Sequence, residues 1–398
     1  MINRLSTAGT HSAAIREIMK QQAQLSRTQT QVGSGSRIQS PADDPIATVR
    51  ILAMEQNRAN LEQYGKNSDL LASRLSIGEQ ALADASTLLQ NVRERALQAN
   101  SGVLADSDRR AIALDIRSRA QELLDIANRR DGNGDYLFSG FSTQTQPFSR
   151  TGTGVAYAGD QGVRTLQIGT DQRIADGFSG ADVFQRITEG NGTFTTAIGT
   201  HAGTGAIDSG RVTNAAAWVA GSYTLNFTTA STWEVRDAGA GLVASGNYTS
   251  GSSIAFNGAE VVVTGAPAAG DSFTMAPASK MDVFAALDAL ATSLEAPGTT
   301  ASARSLISSG VAAGLTQIDQ ALNHMLDTRA VVGARLNAVD TAAASRQQLD
   351  DQLADTVGAL RDVDYAAAIS RMNQQLTGLQ AAQAAYSKIA QLSLFNYL

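Results

Sequence analysis

The sequence predicts a mainly α protein: an elongated helical bundle or coiled-coil rod formed by the N- and C-terminal halves, with an antiparallel β region inserted between them. Three observations carry this reading. Apolar residues recur at helical spacing near both ends of the chain, over residues 15–32 and 365–395. A long heptad run fills residues 315–360. Between the helical halves lies a Gly- and Thr-rich stretch in which apolar and polar residues alternate.

At the N-terminal end, Ile15, Ile18, Leu25 and Val32 keep a 3-4 beat, with Gln22 and Gln29 at the intervening seam positions. Polar residues in a seam lower stability but set register. Gly33 and Gly35 favour a left-handed stop. The next segment, Gly35-Ser-Arg-Ile-Gln-Ser-Pro-Ala-Asp-Asp-Pro45, forms a connector. Pro41 forces Ser40 into an extended conformation, Asp43 belongs to the turn, and Asp44 is placed to cap a helix that begins at Pro45. That helix carries Val49 and Leu52. A later seam of Leu75, Leu82, Leu89, Ala96 and Val103 is partnered by Ala85, Val92 and Ala99. A third helix, about 106–130, presents Ile112, Ile116, Leu123 and Ile126 and stops at Asp131-Gly-Asn-Gly-Asp135, a strong turn signal.

From Tyr136 to about Ala278 the period becomes two. Ser222-Tyr-Thr-Leu-Asn-Phe-Thr, Ser253-Ile-Ala-Phe and Glu260-Val-Val-Val alternate between Gly and Asn punctuation, which reads as antiparallel strands. Residues 187–210 are expected to be nearly structureless. Helical spacing returns at Met281. After the Pro297-Gly298 break, the seam from Leu315 to Leu360 is apolar except at Arg329, Arg346 and Asp350, and spans about 70 Å at 1.5 Å per residue. The tail continues with Ile369, Met372, Leu376, Leu379 and Tyr386, then Ile389, Leu392 and Phe395. The expected division is 1–38 with 362–398 as terminal assembly helices, 39–186 with 279–361 as a helical rod with a β-hairpin, and 187–278 as an outer β domain. Residues 45–130 and 281–360 are expected to cover one another within one chain. The two ends are expected to find intermolecular burial.

Composition narrows the function. A net charge of −6, with Lys and Arg scattered, argues against a nucleic-acid binder. Cysteine is absent, which excludes disulfides and thiolate metal sites. No run of about 18 apolar residues exists to span a bilayer. The start lacks an apolar h-region, so no Sec-type signal is expected, although export routes that use uncleaved, unfolded N-termini leave no such mark.

No catalytic constellation emerges. The 131–135 turn imitates the start of an EF-hand loop, but Tyr136 replaces the required Gly and Ser142 the bidentate Glu. His11, His201 and His324 lie in separate segments without ligand spacing. Asn191, Asn226 and Asn247 stand in glycosylation sequons that no secretory signal supports. No catalytic, cofactor-binding or metal-binding residue is expected.

The connector at 35–45 resembles that of the bacterial flagellin superfamily, and its Asp-Asp-Pro ending is typical of the hook-associated protein 3 family. Ile126-Ala-Asn-Arg-Arg-Asp-Gly-Asn-Gly-Asp-Tyr-Leu-Phe-Ser-Gly140 is similar to a second hallmark of that family. So is the tail, with Asp362-Val-Asp-Tyr-Ala-Ala-Ala-Ile369, Leu379-Gln-Ala-Ala-Gln-Ala-Ala-Tyr386 and Leu392-Ser-Leu-Phe-Asn-Tyr-Leu398. Gly270-Asp-Ser-Phe-Thr274 resembles the family's exit from its β domain. The resemblance covers about the first 140 and last 120 residues. It implies a structural adaptor, not an enzyme, that assembles as a ring of subunits between the first hook-associated protein and the flagellin filament. It also implies export unfolded through the flagellar type III apparatus, an export chaperone at the C-terminal helix, and an extracellular place at the hook–filament junction. The resemblance further implies terminal helices that order on assembly. A minor flagellin that forms the filament itself is the alternative.

Overall fold

The computed structural model describes residues 7–101, 104–152 and 154–395, and of residues 7, 8, 10 and 389–395 the backbone alone. Six α-helices are present among them: α1 (Thr7–Ser34), α2 (Pro45–Ala99), α3 (Asp106–Ala127), α4 (Val283–Glu295), α5 (Ala301–Arg361) and α6 (Tyr365–Phe395). The chain divides into two compact units. One holds residues up to 66 together with those from 343 onward, and the other holds residues 67–342.

In the second unit, α2 presents Leu75, Leu82, Leu89 and Ala96 with Ala85, Val92 and Ala99, all buried, to a core shared with α3, α4 and α5. Val103 lies outside the described residues. The α3 helix ends at Ala127, before the expected Arg130, because Asn128 turns the chain: its side chain brackets Phe148, accepting from the backbone N and donating to the O at 2.9 Å each. Four phenylalanines, Phe138, Phe148, Phe184 and Phe284, meet within this core at centroid distances of 5.3–5.9 Å. Around them lie the hairpin of β1 (Phe148–Thr151) and β2 (Gly154–Tyr157), the pair β3 (Thr165–Gln167) and β4 (Arg173–Ala175), and one π-helical turn at Ala181–Gln185.

The predicted turn at 131–135 is present, and its carboxylate is already engaged. Asp131 accepts from the backbone N–H of Asn133 and Asp135 and pairs with the buried Arg74. Arg74 also faces Asp176 at 3.4 Å and donates to the Tyr136 carbonyl at 3.2 Å, while Arg164 holds Asp176 at 2.7 Å. Arginine thus fills the place that the EF-hand comparison would reserve for a cation.

A β-sandwich follows. The strands of this region are β5 (Ile187–Thr188) and β15 (Lys280–Met281), which lead in and out of the sandwich, and between them β6 (Phe194–Ile198), β7 (Ala206–Ile207), β8 (Arg211–Val212), β9 (Tyr223–Thr229), β10 (Thr232–Asp237), β11 (Leu242–Asn247), β12 (Ser253–Phe256), β13 (Ala259–Thr264) and β14 (Ser272–Pro277). Five form an antiparallel sheet in the order β11-β10-β9-β14-β6. Facing it, β12, β13 and β7 form the second sheet, with β8 also on β13. Phe194, Leu225, Phe227, Val261 and Phe273 bury their side chains between them. The entry and exit strands β5 and β15 pair with one another, Ile187 opposite Met281. Residues 187–210 are therefore not structureless. Asn191 Oδ1 accepts the N–H groups of Thr193 and Phe194, turning the chain into β6, and burial of Phe194 holds it there.

Two substitutions test this packing. Phe184→Ala removes the ring that touches the other three and is expected to lower stability by about 3–5 kcal/mol. Arg74→Ala leaves Asp131 buried without its cation, while Asp176 keeps Arg164, and is expected to cost about 3–5 kcal/mol. Denaturant titration of each variant reads both values.

Candidate assembly interface

The unit built from the two chain ends starts at its connectors. Gly35 adopts φ +72°, the left-handed stop that its position predicted. The chain then runs antiparallel to residues 361–363. Arg37 N donates to Arg361 O at 2.7 Å, Val363 N donates to Gly35 O at 2.9 Å, and Ser36 bridges Asp362. The Arg37 guanidinium reaches the Leu360 carbonyl at 2.8 Å. Asp43 accepts the N–H groups of Gln39 and Ser40 and pairs with Arg27. Asp44 Oδ1 accepts the Ala47 N–H at 3.0 Å and caps α2, as its place before Pro45 requires. Asp364 caps α6 in the same way through Ala367. Pro41 and Pro45 are exposed, and Pro45 is the first residue of α2.

These connectors set α1 beside α6, antiparallel. At one end Gly35 lies against Tyr365, with no room for a Cβ short of the Tyr365 hydroxyl. At the other, His11 Nδ1 and Tyr386 Oη are 3.2 Å apart with their rings edge to face. Leu25 and Leu379 are buried along the pair, as are Thr28 and Ala368. Ile18, Val32, Met372, Leu376 and Tyr386 are half-buried, and Ile15 and Ile369 are exposed. The side chains of Ile389, Leu392 and Phe395 lie outside the described residues. Met19, 63% exposed, and Tyr365 continue the uncovered apolar surface and were missed in the heptad reading.

In the same unit, α2 up to Lys66 runs against α5 from Ala343. Arg58 holds Asp350 through two hydrogen bonds of 2.8 and 3.2 Å, so the charged intruder in the α5 seam has its counter-ion across the helix pair. That bond, with the nearby positive charge, holds the Asp350 carboxyl below the ordinary aspartate range. Ala47 and Ile51 are buried, but Ile46, Val49 and Leu52 are 66–69% exposed. The expectation that residues 45–130 and 281–360 fully cover one another fails here, because a helix pair covers one stripe of α2 and leaves the other bare. The i, i+3, i+6 spacing of Ile46, Val49 and Leu52 was the available signal.

The other polar candidates stay dispersed. His324 Nε2 meets the Asp182 carbonyl at 2.7 Å, and neither ring nitrogen of His201 has a hydrogen-bond partner. Among the described residues no group of three His, Asp or Glu side chains could hold a metal ion, and no helix is long and apolar enough to cross a membrane.

Two outcomes follow from this geometry. Asp44→Ala is expected to lose about 0.5–2 kcal/mol of helix stability, read as earlier fraying of the first α2 turn by hydrogen exchange. The depressed pKa of Asp350 contributes stability present above the unfolded value near ~3.9 and lost as pH falls through the lower folded value. Acid titration of helicity should therefore show a steeper acid limb for the wild-type chain than for Asp350→Asn.

The pattern of the bacterial flagellin N-terminal helical region matches residues 5–143, and that of the flagellin C-terminal helical region matches residues 315–398. Flagellar hook-associated protein 3 of Escherichia coli (strain K12) is 26% identical over 405 residues, covering 99% of each chain. The crystal structure of flagellar hook-associated protein 3 from Legionella pneumophila is similar at 34% identity and a TM-score of 0.75, covering 78% of this chain and 98% of that one. Xanthomonas campestris FlgL is similar at 32% identity and a TM-score of 0.70, over 75% and 99%. The chain thus belongs to the flagellar hook-associated protein 3 family, a family of hook-associated junction proteins of the bacterial flagellum.

Proposed function

We propose that this chain is the structural adaptor that joins the flagellar hook, through the first hook-associated protein, to the flagellin filament. Copies form a ring, and α1 with α6 makes the inner contacts between neighbours. Residues 1–38 and 362–398 are the assembly part, 39–186 and 279–361 the rod, and 187–278 the outer domain facing solvent. The observation that carries this reading is the surface of the helix pair. Ile15, Met19, Tyr365 and Ile369 remain exposed although α1 and α6 already cover one another. The bare stripe of Ile46, Val49 and Leu52 adds a second contact on the same unit. Exposed apolar surface of this kind marks an interaction site.

Assembly then works by coupled ordering. A two-helix pair buries little, so it gains most of its stability when neighbours cover the remaining faces. Such ends suit a chain exported unfolded through the flagellar type III apparatus without a cleaved signal, and an export chaperone that covers the C-terminal helix before assembly. The role needs no catalytic step and no cofactor.

Deletion of residues 369–398 is expected to leave the melting of the 67–342 unit nearly unchanged while abolishing incorporation into flagella. Normal filaments on cells carrying only that variant would overturn the reading. Tagged full-length protein should be found by electron microscopy at the hook–filament boundary. Label along the filament, with self-assembly of the purified chain into long filaments, would instead identify a minor flagellin.

A further inference from the structure

The five-stranded sheet ends at β6, and the edge it presents is open. Gly199 N donates to Ser272 O and Ala278 N to Thr193 O, so residues 193, 195, 197 and 199 bond to β14. Alternation along an antiparallel strand then turns the N–H and C=O groups of residues 194, 196 and 198 the other way. Those of Phe194 are taken up by Asn191. Those of Thr196 and Ile198 have no partner among the described residues, and their spacing of two is the repeat of a strand ladder.

This edge does not face open solvent alone. It forms one wall of a groove of about 600 Å³ whose opposite wall is α5, at Leu306, Ser309, Gly310, Ala313 and Thr316. That wall is built mostly of small residues, which let another backbone approach. The charged side chains lining the groove are Glu189 and Asp208, and each keeps a second carboxylate oxygen beyond the one that accepts from Ser279 or from the Gly210 and Val262 N–H groups.

The geometry points to a peptide-docking groove: an extended segment of another polypeptide, with small side chains and a basic residue, adds as a sixth strand on β6. Main-chain hydrogen bonds to Thr196 and Ile198 supply the ladder, the narrow α5 wall selects small side chains, and Glu189 and Asp208 select positive charge. The site is remote in sequence from the terminal helices and does not depend on their role. An unpaired strand edge is otherwise an aggregation hazard, and α5 restricts access to a single strand.

The test uses the full-length protein and two fluorescent peptides of alternating threonine and alanine, one ending in two lysines and the other in two glutamates. The lysine peptide is expected to bind saturably, to bind at least about tenfold more tightly than the glutamate peptide, and to slow amide exchange at Thr196 and Ile198. Ala313→Trp places an indole in the groove from an exposed helix position and should weaken binding by about tenfold or more without changing the melting temperature. Thr196→Pro, which removes one edge N–H together with the Thr196 hydroxyl bond to the Asp208 carbonyl, should also weaken binding. Absence of saturable binding, equal binding by Ala313→Trp, or equal affinity for both peptides would overturn the assignment. So would concentration-dependent association of the chain alone that Ala313→Trp abolishes, since that would place a second copy in the groove.

Discussion

Residues 35–37 and 361–363, more than three hundred positions apart, are joined by backbone hydrogen bonds at 2.7 and 2.9 Å. The helix pair at the chain ends depends on this junction. Two long helices gain little by meeting if their contact must be found by diffusion along flexible linkers. Here the left-handed Gly35, the Arg37 contact with Leu360 and the caps at Asp44 and Asp364 set where each helix starts or stops. With the starting points set, the antiparallel register from Tyr365 to Tyr386 follows from helix rise alone.

The two units differ in how far each completes its own burial. Residues 67–342 hold two closed cores, one among four helices with the phenylalanine cluster and one inside the sandwich. The unit of chain ends buries far fewer large side chains, among them Leu25, Ile51, Val357 and Leu379, and leaves others in water. Conformational entropy opposes ordering at more than about 1 kcal/mol per residue, so a helix pair with so little buried surface is poised to gain from partners. The same physics separates a self-sufficient domain from an assembly element.

Charge fits within this scheme as register control. Arg58 with Asp350, and Arg329 with Glu79, turn two of the three apparent misfits of the α5 heptads into cross-helix contacts at partly exposed positions. Pairs of this exposure contribute about 0–1 kcal/mol, too little to carry stability but enough to disfavour a shifted alignment. The buried Arg74 cluster is different in kind, because removing Arg74 would strand the Asp131 carboxylate away from water.

Much of this was legible in the residues themselves. Periodicity located every long helix, since 3.6-residue burial leaves its mark whatever the partner, and local chemistry located the caps at Gly35 and Asp44. The connector and tail motifs pointed to the right family. Tertiary structure alone decided the rest. Residues 187–210 show no clear apolar alternation, so only pairing with β14 and burial of Phe194 made a strand of residues 194–198. Asn128 ended α3 early through a contact twenty residues away. Which apolar residues of the seams stay bare was equally beyond sequence, because Ile46 and Ile51 have the same hydrophobicity and differ only in what stands opposite. A sequence determines what a residue would prefer to bury; only the fold determines whether anything is there to bury it.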